Sequence, residues 1–147
     1  MAIKDLASRI SLVQAIGPAT LDADNTPAAI DLQGFQSAAI AISVGAGGIT
    51  FDASNRIDFT VTHSDDGTNY SNVAATDLNG KDAPATVTGG VVLSLAAAHA
   101  SATVSEMGYI GGKRYLKTLA HFVGTHGTGT PISAVVVKGN PLSIPAA

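Results

Sequence analysis

The stretch Arg56 to Val73, RIDFTVTHSDDGTNYSNV, constrains the fold more than any other part of the chain. Ile57, Phe59 and Val61 alternate with Arg56, Asp58, Thr60 and Thr62. One face is therefore apolar and the other polar, and this period of two marks a half-buried strand. Ser64-Asp65-Asp66-Gly67 supplies turn chemistry, because Asp side chains bond backbone amides two residues on and Gly tolerates positive φ. Tyr70 to Val73 resumes in extended form. The segment predicts a hairpin and names no reaction.

The same pattern recurs along the chain. Ala38, Ile40, Ile42 and Val44 alternate with Ser37, Ala39, Ala41 and Ser43, a strand with one small-residue face that Gly45 to Gly48 ends. Short strands are expected at 85–88, 91–95, 107–110, 113–123 and 132–138, with Gly-rich turns between them. The Ala-rich run 95–102 reads as helix by propensity and equally as a loop or irregular strand from its flanking Gly and β-branched residues. Short strands at regular spacing predict an all-β chain, an antiparallel β-sandwich or barrel.

The ends read differently. Residues 1–35 are expected as an N-terminal arm, in which Ile10, Leu12, Val13 and Ile16 form a short strand or one amphipathic turn before Gly17-Pro18 breaks it. Residues 36–139 form the body. The tail 140–147 carries Pro141 and Pro145, which cannot continue a sheet interior, so it is expected as an extended arm.

Composition narrows the class. A chain of 147 residues is one domain by length and buries enough apolar surface without staples. With no cysteine, neither a disulfide framework nor a thiolate metal site is possible. Net charge is −3, the eight basic residues are scattered, and no basic stripe exists for a phosphate backbone, so direct nucleic-acid binding is not expected. Only 13% of residues are charged and mean hydropathy is +0.29, whereas a free monomer usually keeps about one quarter to one third of its surface charged. Such a surface points to coverage by other chains; the alternative is a Ser/Thr-rich surface on a free protein. MAIKDLASRISLVQ lacks the apolar core and cleavage site of a signal peptide. The apolar run 83–104 contains Gly89-Gly90 and His99, so no membrane span is expected. The chain reads as soluble and made in the cytoplasm.

Catalytic chemistry finds little support. There is no Gly-x-Ser-x-Gly elbow, and Glu106 is the only Glu to partner an Asp as a glycosidase pair. Asp65, Asp66 and Asn69 offer oxygens in a tight loop but lack EF-hand spacing, and a hairpin turn explains them. His121 and His126 have no third ligand nearby in sequence. Gly111-Gly112-Lys113-Arg114 lacks the phosphate-loop pattern. The chain is expected to be no enzyme and to hold no cofactor and no metal. Lys113, Arg114 and Lys117 form the one basic cluster, a modest patch for an acidic partner.

Two pieces together resemble a family. THSDDGTNYSNV and GYIGGKRYLKTLA (108–120) are similar, as a pair, to segments of small head-associated structural proteins of tailed bacteriophages. The first also resembles the hairpin of discoidin-like jelly rolls, with Tyr70 where that family usually has Trp, and 113–117 resembles their Arg-Tyr strand. The sugar- and lipid-binding loops of that family have no counterpart here. The resemblance implies a β-sandwich of jelly-roll type and a virion structural role on the capsid surface. The implied role is a capsid decoration (cement) or minor capsid protein that binds the major capsid protein as a homotrimer and bridges shell subunits. Ile10, Leu12, Val13, Leu142 and Ile144 are the expected arm contacts, alongside the basic Lys113, Arg114 and Lys117. The alternative to arm contacts is that these apolar residues cover their own sandwich. A head–tail joining or tail component, and a carbohydrate-binding module using Tyr70 or Tyr109, are the other expected functions to weigh.

Overall fold

Alternation of apolar and polar side chains places most of the strands. In the computed structural model, which describes residues 4–146, the strands are β1 (Ile10–Leu21), β2 (Ile30–Asp31), β3 (Phe35–Val44), β4 (Arg56–Ser64) and β5 (Ser71–Asn72). They are followed by β6 (Leu78–Asn79), β7 (Val91–Leu95), β8 (Thr103–Tyr109), β9 (Tyr115–Val123) and β10 (Thr130–Pro141). The only helical elements among the described residues are two 3-10 turns, Ala7–Arg9 and Ala75–Asp77. Residues 1–3 of the expected arm and 147 of the expected tail lie outside the described residues.

The strands form two antiparallel sheets. One has the order β1-β10-β3-β8-β6, the other β2-β9-β4-β5 with β7 also on β4. The ladders are nested: β1 with β10, β2 with β9, β3 with β8 and β4 with β7. The result is a β-sandwich of two packed antiparallel layers. The inner faces supply one core. Ile40, Ile42, Ile132, Val136 and Met107 from the first sheet meet Ile57, Phe59, Val61, Leu116 and Ala120 from the second.

The hairpin at 56–73 forms as expected, with Thr62 opposite Asn72. Asp66 staples its loop. The carboxylate accepts from the Asn69 N–H and the Thr68 N–H, both at 2.8 Å, and from Asn69 Nδ2 at 2.7 Å. These bonds, the Asn69 amide first, hold the Asp66 carboxyl well below the usual carboxylate range. Gly67 sits at φ +75° against the Tyr115 ring, so the turn requires glycine there.

Two expectations fail, each for a tertiary reason. The N-terminal segment is no arm from residue 10 onward, because Ile10–Leu21 is a 12-residue strand paired with β10. Gly17-Pro18 does not break it. The strand lies at a sheet edge, where a missing N–H costs no ladder bond, and register shifts between Gln14 and Ile16 and between Ile16 and Ala19 absorb the irregularity. The body therefore extends from 10 to 141, not 36 to 139, and only 4–9 and 142–146 lie beyond the outermost ladder. No strand forms at 85–88. That stretch belongs to the crossing from β6 in one sheet to β7 in the other, where no partner strand runs beside it. Past Leu95, which ends β7, the run 96–102 takes the loop alternative, since it makes the return crossing to β8.

Candidate interaction surfaces

The outer face of the first sheet has an unusual composition. Residues opposite one another in a ladder share a face, so the register reads out its rows directly. Leu12, Val137, Ala39 and Gly108 form one row. Gln14, Val135, Ala41 and Glu106 form the next, and Ser133, Ser43 and Val104 the third. Glu106 is the sole charged residue in these rows, at one border, 3.9 Å from Lys81 Nζ. Solvated sheet faces normally alternate to polar and charged residues. Here Leu12 is 63% and Val104 64% exposed, while the centre is small or apolar. The scarcity of charge in the composition is thus concentrated on one surface.

The second surface is one end of the sandwich, where β1 and β9 begin and β4, β8 and β10 finish. Leu6, Ile110, Leu142 and Ile144 are exposed there, in the segments that adjoin these strand ends. A groove of about 570 Å³ opens at the same end, within the usual range for binding clefts. Leu32, Phe35, Tyr109 and Ile110 give it an apolar lining, and Gln36, Asp65 and Lys113 contribute polar groups.

Tyr109 anchors the groove. Its hydroxyl lies 2.8 Å from His63 Nδ1 and accepts the Lys113 N–H at 3.1 Å. The hydroxyl keeps one proton and one lone pair for the His63 contact, so the direction of that bond follows the His63 tautomer. Burial pushes the His63 pKa down from its usual value. The unfolded chain then binds a proton near pH 6.5 that the folded chain refuses until lower pH. The His63 contribution is constant above that pH and is lost as pH falls below it. Urea midpoints should drop between pH 7.5 and 5, and His63→Gln should flatten that slope; an equally steep slope in the variant would contradict the assignment.

The sequence-predicted residues have separate fates. Leu12 is on the charge-poor face, whereas Ile10 is half-buried opposite Gly139 and Val13 packs against the core. Val13 thus covers its own sandwich, whereas Ile10, two residues before Leu12, lies on the outer side of β1. Leu142 and Ile144 are exposed at the groove end, 71% and 56%. The basic cluster is not a free patch. Arg114 grips Asp31 with two bonds of 2.8 Å, which holds that carboxyl at about 2. Lys113 Nζ lies 3.9 Å from Asp65, and Lys117 Nζ sits 4.2 Å from the Tyr70 ring centroid. The two proposed sugar platforms are compromised as well: Lys117 covers one face of Tyr70, and Tyr109 is buried. Sequence reading missed Val135 and Val137 as surface candidates. The small-residue face of β3 was visible, but not the strand that would lie beside it.

Among the described residues no helix is long and apolar enough to cross a membrane, and no group of three or more His, Asp or Glu is placed to hold a metal. No protein-family model, curated protein or solved structure matches the chain.

Proposed function

We propose that this chain is a capsid decoration (cement) protein of a tailed bacteriophage, a homotrimer that docks the outer face of its first sheet on the major capsid protein. The observation that carries this reading is the charge-poor face, with its four-strand rows of Leu12, Val137, Ala39 and Gly108 and of Gln14, Val135, Ala41 and the single border charge Glu106. Water gains little by solvating such a face, and a flat, charge-poor partner surface desolvates cheaply against it.

Size sets the mechanism. Four strands about 4.8 Å apart and three rows about 7 Å apart give a footprint on the order of 400 Å². A standard interface buries about 800 Å² per partner, so one contact of this kind is weak. Linked copies bind in sequence at high effective concentration, and avidity then holds the shell closed against internal pressure. The phage-like segments named above agree with this role.

Cosedimentation with empty shells of the encoding phage, prepared without this protein, tests it. The unaltered protein should pellet with the shells. Ala41→Glu keeps the side chain outside the core yet buries an unpaired charge in the contact, so affinity should fall about 100-fold or more. Undiminished pelleting of a folded Ala41→Glu protein, or no pelleting of the unaltered one, would refute the proposal.

A further inference from the structure

The C-terminal segment and the groove share one end of the sandwich, yet each lacks what the other offers. Leu142 begins at the groove's border. Its N–H donates to the Gly34 carbonyl at 2.9 Å, and Gly34 sits between Gln33 and Phe35, which both line the groove. From there the segment turns away. The Ala146 N–H donates to the Ser8 carbonyl at 2.8 Å, ahead of β1. In the sheet order β1-β10-β3-β8-β6, β1 lies on the far side of β10 from β3 and β8, whose ends line the groove. The chain's own tail is thus carried off its own groove. Its two large side chains stay exposed, Leu142 at 71% being the most exposed large apolar residue described. The groove, with Ile110 58% exposed in its lining, stays open.

We propose that the occupant of this groove is the tail of a second copy of this chain, which places Leu142 and Ile144 against Leu32, Phe35 and Ile110. The chemistry matches. Residues 139–146 carry no charged side chain, so the segment brings no ion of its own to desolvate against Leu32, Phe35 and Ile110. Five extended residues span about 16 Å, enough to reach a neighbour whose end abuts this one. Every copy carries both a tail and a groove, so successive exchange closes into a ring where the rotation between copies closes. This inference is independent of shell binding, which uses the sheet face.

Sedimentation velocity and light scattering on the full chain read it directly. The unaltered protein should associate into a closed oligomer of fixed size. Leu142→Ser with Ile144→Ser removes the donor, and Ile110→Glu spoils the acceptor; all three positions are exposed, so the fold is left intact. Each variant alone should be monomeric, its association weakened at least tenfold. Mixed together, they should recover one productive contact, because the tail-deficient chain keeps its groove and the groove-deficient chain keeps its tail. A strictly monomeric unaltered protein would overturn the proposal. So would oligomers that persist in both variants, or two monomeric variants that fail to combine when mixed.

Discussion

Replacing Phe59 by Ala is expected to lower the unfolding free energy by about 3–5 kcal/mol. The ring is fully buried at the centre of β4, opposite Ala120 on β9 and Leu93 on β7. Ala120 is itself fully buried and small, so the ring fills the space that its neighbour leaves. Three hydrogen-bonded strands cannot move inward singly to close the resulting cavity, and most of the cavity cost therefore remains. For a chain of this length each kcal/mol corresponds to roughly 2–4 °C, so the melting temperature should drop by roughly 6–20 °C. Calorimetry or urea unfolding measures it. A loss below about 1 kcal/mol would mean that the two sheets do not close over this ring.

The other large effect is expected where nothing hydrophobic is involved. Gly48 packs its backbone directly on the backbone of Gly129, and a Cβ at residue 48 would collide with the Gly129 carbonyl, reaching its carbon at 2.7 Å. The Gly48 N–H also donates to Thr130 Oγ1 at 3.0 Å, which fixes the loop against the start of β10. Gly129 cannot retreat. It sits at φ +90°, and a Cβ there would meet the Leu21 carbonyl oxygen at 2.7 Å, so three backbone segments stack without side chains between them. Gly48→Ala should cost about 1–3 kcal/mol or more, because backbone must shift. Gly17→Ala is the control, since the nearest atom to its added Cβ is a flexible Gln14 side-chain oxygen at 3.6 Å. Its urea midpoint should stay close to that of the parent. Equal losses in the two variants would show that the Gly48 contact is not what matters.

These two residues also mark how far the sequence could be read. Phe59 was legible because its alternation with Asp58 and Thr60 is local. The same holds for Asp66, whose turn role follows from Asp-Gly chemistry, and for the small-residue face of β3. Gly48 read only as part of a loop; its partner Gly129 lies far along the chain. β1 was misread for a related reason. Gly17-Pro18 is a strand breaker in a central strand and harmless at an edge, and edge position is not a local property. The basic cluster looked free because its neutralising partner Asp31 comes from β2, far from Arg114 in the chain.

The candidate surfaces divide along the same line. Low charge in the composition showed that some surface would be bare of it, and the prolines of the tail showed that the chain would leave the sheet near Pro141. Local alternation determined which residues of each strand point inward. Only the tertiary structure decided that the outward residues of β3 and β10 lie side by side, turning two modest stripes into one charge-poor face. It alone brought Leu142, Ile110 and the groove to a common end. The physical reason is that side-chain direction follows from a strand's own period of two, whereas strand neighbours follow from how the whole chain folds to bury its apolar face.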